Sequence, residues 1–302
     1  PWVPMTRVMI PTLVQQNRAL NFIPLNAAAS SNTRSTLLQI YTNGSVYIAC
    51  LALNASVAPN GFEGIPRKLD WENLVINGKL AEPRDIPPSP LETMNDRFFY
   101  GRVAGVSRGS QWQSQITDTP RSRHLTIPRT GEAFSYGLST LPRGTFGTGQ
   151  VQSAPMLARY PDTAYMAHGN YGVHYQVAMP LHNPSSQPQK IAVSIQTPLK
   201  QNSWDKGLRF LRSLPGQVFF RGTVRVRYRD DNGNAQLRYY HLSQRQGEQG
   251  QPLAMITLEP KENRLIDIDY FYPPDATPPQ VLTVQTLADM SFRQQSAYGI
   301  QR

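Results

Sequence analysis

Tyr171-Gly-Val-His-Tyr-Gln-Val-Ala-Met-Pro-Leu-His-Asn-Pro-Ser-Ser-Gln-Pro-Gln-Lys-Ile-Ala-Val-Ser-Ile-Gln-Thr197 is the stretch that decides the fold. Tyr171, Val173, Tyr175, Val177, Met179 and Leu181 fall on every second residue, with Gly172, His174, Gln176 and Ala178 between them. Period two is the pattern of a strand buried on one face. His182 to Gln189 is turn chemistry: Pro184 and Pro188 fix φ, and Asn183 favours a tight bend. Ile191, Val193 and Ile195 then alternate again. The stretch reads as two antiparallel strands of a β-sandwich joined as a hairpin.

Composition agrees with that reading. Of the 302 residues 39% are hydrophobic and 17% charged, enough apolar surface for a packed core. The 26 prolines and 21 glycines favour many short strands and turns over long helices. The net charge is +10 and the basic residues are mostly arginine, with lysine only at 68, 79, 190, 200, 206 and 261. Arginine grips carboxylate, sulfate or phosphate through two parallel hydrogen bonds. An anionic partner follows naturally; the plainer reading is solubility plus internal arginine–carboxylate pairs. A single cysteine, Cys50, forbids an intrachain disulfide and reads as a small buried hydrophobe on the face of Val46 and Ile48. No apolar run reaches the roughly 18 residues a membrane-spanning helix needs. Pro1 is no natural initiator, so the chain is expected to have lost an upstream segment, and any targeting signal with it.

Working outward, residues 1–53 read as strands at Arg7 to Leu13, Ala19 to Leu25, Thr36 to Tyr41 and Val46 to Leu53, the last two flanking an Asn43-Gly44 turn. Four strands make an incomplete sandwich. Asn17 to Phe22 resembles Asn263 to Ile268, and Gly44 to Leu53 echoes Pro278 to Leu287, which suggests a duplicated sandwich. Residues 54–95 form a proline-rich linker with one short helix, Asp70 as its N-cap and Asn77-Gly78 as its close. From 96 to 287 the β pattern resumes, with strands at Phe98 to Val106, Glu132 to Thr140, Val151 to Tyr160, Gln217 to Tyr228 and Ala235 to Leu242. Residues 288–302 are a polar tail. The predicted fold is therefore all-β: tandem antiparallel β-sandwich-like domains, the first incomplete at its N-terminus, with one short linker helix.

Catalytic motifs are absent. There is no G-x-S-x-G elbow, no H-E-x-x-H and no Walker loop, so no catalytic residue is assigned. Gly144, Gly147 and Gly149 read as a tight β connection, since no long helix follows to cradle a phosphate. His124, His168, His174, His182 and His241 show no ligand spacing, and no metal or cofactor is expected. Asp230-Asp-Asn-Gly-Asn234 lacks the distal acid of a calcium loop and reads as a type I′ turn. Asp267 and Asp269 alternate onto one strand face; paired carboxylates can do acid–base work on a glycan, and a solvated face gives the same spacing. Asp162, Tyr165, His168, Asn170 and Tyr171 crowd one loop, as a sugar-binding surface or as a packed loop closing the sandwich.

An arginine hairpin supplies the other binding candidates. A two-residue Asn232-Gly233 turn sets Arg227 opposite Arg238, Arg229 opposite Gln236 and Arg225 opposite Tyr240. Arg225, Arg227, Arg229, Arg238 and Tyr240 would then share one sheet face, open to an acidic partner or neutralised by internal acids.

Several long phrases resemble one family: Tyr100 to Trp112, Phe134 to Leu141, Arg159 to Tyr165, His168 to Val173, Phe219 to Tyr228 and Tyr272 to Val284. From about Val8 to Leu287 the chain resembles the cyanobacterial domain-of-unknown-function 3370 family (DUF3370). The family carries no activity that could be transferred to a residue here. Its members look like exported proteins, so the resemblance implies the periplasm or outer cell envelope. The expected function is a non-enzymatic envelope protein, a structural or binding module for an anionic glycan or a partner protein, with nucleic acid unsuited to that location. The alternative is a glycan-active hydrolase using Asp162, Asp267 or Asp269.

Overall fold

A computed structural model describes residues 8–9, 40–45, 51, 53, 56–64, 66–78, 86–93, 98–203, 207–274 and 276–288. The chain divides into two compact units, Pro1–Arg84 and Asp85–Arg302.

In the first unit the described elements are β1 (Val8–Met9), β2 (Ile40–Tyr41), β3 (Ser56–Val57), β4 (Glu63–Gly64) and α1 (Lys68–Asn77). β1 pairs with β2 in parallel, and β3 with β4 antiparallel. The N-cap lies three residues before the expected one. Arg67 is the N-cap residue and Asp70 sits in the first turn, where its carboxylate accepts the Arg67 backbone N–H at 2.8 Å and pairs with the Arg67 guanidinium at 3.3 Å. A carboxylate at this position serves the helix N-terminus as well as a cap would. Cys50, the Ala19 to Leu25 strand and the first copy of the proposed duplication lie largely outside the described residues.

The second unit is a β-sandwich. Its strands are β5 (Gly105–Ser107), β6 (Gln111–Gln115), β7 (Leu125–Thr126), β8 (Ala133–Leu138), β9 (Ala154–Arg159), β10 (Met166–Ala167), β11 (His174–His182), β12 (Gln189–Gln196), β13 (Val218–Arg229), β14 (Ala235–Arg245), β15 (Ala254–Leu258), β16 (Asn263–Phe271) and β17 (Gln280–Thr286). One sheet runs β14-β13-β16-β11-β6, with β7 also on β11, and the facing sheet runs β15-β12-β17-β8. A small third sheet holds β10-β9-β5. Among the described residues the chain is thus all-β apart from one short helix.

β11 shows the predicted alternation without exception: Tyr175, Val177, Met179 and Leu181 are buried, and the residues between them are half-exposed. They meet Ile191, Val193 and Ile195 of β12 in one core. The two strands are not hairpin partners, however. β11 pairs with β16, β6 and β7, whereas β12 pairs with β15 and β17. The turn between them crosses from one sheet to the other. Alternation reports which face is buried and is silent about which strand lies alongside.

Asn183 explains how that crossing is held. Its side chain is fully buried, and its Nδ2 donates to the carbonyls of Gln187 at 2.8 Å, Leu258 at 2.9 Å and Glu259 at 3.2 Å. Its Oδ1 accepts from the Ser185 N–H at 3.0 Å and hydroxyl at 2.8 Å. One amide therefore ties the crossing to the β15–β16 connection.

The expected strand Phe98 to Val106 is mostly irregular: residues 98–104 carry no strand, and β5 begins at Gly105. Part of what read as linker belongs with this unit, since the Ser89 N–H bonds the Phe99 carbonyl at 2.8 Å and the Phe99 N–H bonds the Ser89 hydroxyl at 2.9 Å.

The Asn183→Ala variant should lose about 1 to 3 kcal/mol, because one buried and two partly buried carbonyls lose their shared donor. Urea unfolding followed by fluorescence measures this. A loss below about 0.5 kcal/mol would mean the crossing holds without the amide.

Candidate functional site

The outer face of the six-stranded sheet carries the densest polar arrangement. Strand register aligns Tyr239, Arg225, Asp269, Gln176 and Gln113 in one row across β14, β13, β16, β11 and β6. The next row is Leu237, Arg227, Asp267, Ala178 and Gln115. Cross-strand neighbours stand close enough to bond.

Asp269 is the centre. It is only 5% exposed, and its Oδ2 takes the Arg225 Nη2 at 2.8 Å, the His174 Nε2 at 3.1 Å and the Gln176 Nε2 at 3.4 Å. Gln176 Oε1 in turn accepts from Gln113 Nε2 at 2.7 Å. The His174 ring stacks on Phe271 at 4.5 Å, which fixes its plane. Partial burial opposes the charge of Arg225, but the Asp269 carboxylate more than offsets it and holds the guanidinium above its ordinary range. Arg227 reaches Asp267 only at 3.8 Å and is half-exposed.

The arginine hairpin has a different register from the expected one. Arg225 faces Tyr239, Arg227 faces Leu237, Arg229 faces Ala235 and Val226 faces Arg238. Arg227 and Arg238 therefore lie on opposite faces and do not oppose each other, and Tyr240 shares the Arg238 side. The cause is the turn. Asp230 and Asn234 close a three-residue connection in which Gly233 takes φ 79°. Asp230 Oδ1 accepts the N–H groups of Asn232 at 3.0 Å and Asn234 at 2.9 Å, which favours this bulged turn over the two-residue type I′ form. Asp231 bonds Arg264 Nη1 and the Thr257 N–H, each at 2.8 Å, so both acids of the calcium-like segment serve structure. Arg229 donates to the Gly233 carbonyl at 2.8 Å, and Arg238 to Gln236 Oε1 at 3.0 Å. Among the described residues neither has a carboxylate partner, and both are exposed.

Asp162, Tyr165 and His168 lie apart from that face. Asp162 and His168 are buried, at 4% and 7% exposure. Tyr165 is half-covered, with the Arg159 guanidinium 3.9 Å over its ring. His168 lies edge-on to Tyr100 and its Nδ1 is 3.3 Å from the Ser153 hydroxyl. Neighbouring Asn170, at φ 49°, donates to the Tyr175 hydroxyl at 2.7 Å and the Gln152 carbonyl at 2.8 Å. That hydroxyl also accepts the Ser139 N–H at 3.1 Å and donates to Gln152 Oε1 at 2.9 Å. The loop thus seals one end of the core. Its pattern of tyrosines and turn formers was visible in the sequence; the partners of Tyr175 were not.

Two features had no local signal. The fold brings the rings of His124 and His182 to 4.7 Å, although they are far apart in sequence. No group of three or more metal-ligating side chains exists among the described residues. The outer face of the four-stranded sheet holds a groove of about 580 Å³, walled by Phe146, Gly147 and Thr148 on one side and Leu208 and Phe210 on another. Gly144 to Gly149, read as a plain connection, supplies one of those walls.

A family description, "Protein of unknown function (DUF3370)", matches residues 5–286. Comparison with curated proteins and with solved structures gives no match. No described helix is long and apolar enough to cross a membrane.

Two outcomes follow from these geometries. Asp269→Asn should cost about 2 kcal/mol in urea unfolding, since a largely covered guanidinium loses its counter-charge, whereas Arg227→Ala should cost under about 1 kcal/mol. Equal losses would place the two pairs on the same footing. Burial, helped by the charge of Lys200, lowers His168 to about 4. The unfolded chain therefore binds a proton here that the native chain refuses, so this contribution is complete above about pH 6.5 and is lost as pH falls towards 4. His168→Gln should flatten the stability–pH curve over that window; an unchanged slope would contradict the assignment.

Proposed function

We propose, from the premise that the chain belongs to the DUF3370 family, that it is a non-enzymatic binding module whose sandwich domain presents the end of the β13–β14 hairpin to an acidic polymer. One observation carries this reading. Internal acids neutralise Arg225 and partly Arg227, and leave Arg229 and Arg238 exposed without a carboxylate. The hairpin has six arginines, at 221, 225, 227, 229, 238 and 245, against Asp230 and Asp231, and Asp231 is taken by Arg264. Among the described residues β14 pairs with β13 alone, so Arg238 and Arg245 stand on a sheet edge, where charge also discourages pairing with other chains, and Arg229 closes β13 at the turn. Tyr239 and Leu237 on the same strand are 42% and 55% exposed and give apolar contact beside the charges. Polymers bearing carboxylate or sulfate groups on a carbon backbone match that mixture.

The hydrolase alternative draws less support. Asp269 is committed to three donors on one oxygen, Asp267 faces Arg227, and Asp162 is buried in a different loop. None of the three is placed to exchange a proton with a bound sugar. Export to the periplasm or outer envelope belongs to the same proposal; its support is the resemblance of the long phrases to a family whose members look exported.

Binding of the full chain to dextran sulfate and to polygalacturonate, followed by fluorescence anisotropy at several salt concentrations, tests the reading. Arg229→Ala with Arg238→Ala should weaken binding about tenfold and flatten its salt dependence, with melting temperature unchanged. No binding to either polymer by the parent chain, or equal binding by the double variant, would overturn it.

A further inference from the structure

We infer that the groove on the outer face of the four-stranded sheet is a second binding site, one that takes a short neutral oligosaccharide. It lies on the sheet opposite the arginine face and uses different chemistry.

The floor is set by register. Ser135 faces Thr283 and Thr283 faces Ser194, while Gly137 faces Val281 and Val281 faces Gln196. These residues alternate with the core side chains of their strands, so the floor is the outward face. It is nevertheless recessed: Val281, Thr283 and Ser194 are 1%, 5% and 7% exposed. The walls described above rise over it. The floor is wired by hydrogen bonds among uncharged groups. Ser135 and Thr283 hydroxyls meet at 2.8 Å, Thr283 donates to Gln196 Oε1 at 3.1 Å, and Gln196 Nε2 donates to the Ser194 hydroxyl at 3.1 Å.

Charge selects the ligand class. Among the described residues no acidic or basic side chain lines the groove. An anion or cation entering it would shed water with nothing of opposite sign to replace it. A purely apolar ligand would cover the rim amides of Gln285 and Gln249 without pairing them. A polyhydroxylated neutral molecule satisfies both conditions. Gln285 and Gln249 are exposed at the rim and make no side-chain hydrogen bond among the described residues. They can offer both a donor and an acceptor. Leu208 and Phe210, both partly exposed, provide apolar surface for sugar C–H faces. The small, exposed side chain of Ala133 leaves room for a flat ring beside the floor.

The wall is also held in an uncommon conformation. Phe146 is 6% exposed at φ 53°, a region L-residues rarely occupy, and its N–H bonds the Gln201 carbonyl at 3.0 Å. Gln201 Nε2 donates to the carbonyls of Ser203 at 2.7 Å and Gly207 at 2.8 Å, which fixes the facing wall. Both walls are therefore tied in place around the opening, and the volume falls within the roughly 300–1,000 Å³ of small-ligand clefts.

Titration calorimetry of the full chain with cellopentaose, maltopentaose, mannopentaose and xylopentaose tests the inference. At least one should bind. Gln285→Ala and Gln249→Ala, at exposed positions the fold does not use, should each raise its Kd by about threefold to tenfold. Ala133→Trp should fill the opening and abolish binding, with circular dichroism reporting that the fold is kept. Arg229→Ala with Arg238→Ala should leave this Kd unchanged, which separates this site from the arginine hairpin. No binding by any of the four sugars would overturn the proposal, as would a Kd insensitive to both glutamine variants.

Discussion

The strict alternation along β11 is the constraint on which the rest depends. Tyr175, Val177, Met179 and Leu181 must face the core, because sliding the strand by one residue would bury His174, Gln176 and His182 instead. With that parity fixed, antiparallel pairing to β16 places Asp269 beside Gln176 and Asp267 beside Ala178. Pairing of β16 to β13 then sets Arg225 against Asp269 and Arg227 against Asp267. The polar rows of the outer face are thus consequences of how the inner face is packed.

Within those rows the charges are used unequally. Asp269 is almost fully covered and its partners converge on a single oxygen, so removing it would leave Arg225 largely covered and unpaired. Arg227 keeps a looser partner and half its solvent contact. Towards the turn the acids run out, because Asp230 bonds the turn backbone and Asp231 bonds Arg264. The same acids that shape the hairpin tip are therefore unavailable to neutralise Arg229 and Arg238. This division, structural acids at the centre and surplus cations at the turn and the edge strand, is what the proposed binding of acidic polymers rests on.

Much of the fold was legible in the sequence, and the failures have physical causes. The strand character of β11, β12, β13 and β14 followed from period-two alternation. The assignment of β11 and β12 to separate sheets did not, because partner choice depends on the Asn183 contacts to Leu258 and Glu259, some 75 residues away. The hairpin register turned on Asp230, which precedes the Asn-Gly pair and captures two N–H groups; reading the pair alone gave a two-residue turn. The residues of the arginine face were visible individually, but their separation onto two faces was not, since one residue of register decides it. The neutral groove left no local trace at all. Its serine, threonine and glutamine side chains come from three strands and three loops, and each looks like ordinary surface in its own stretch.

Hydrogen–deuterium exchange of the full chain with and without dextran sulfate bears most directly on the central claim. The account predicts added protection confined to the β13–β14 hairpin, greatest in peptides spanning residues 225–240, with β8, β12 and β17 unchanged. Protection centred on the four-stranded sheet, or none anywhere on the sandwich, would contradict it.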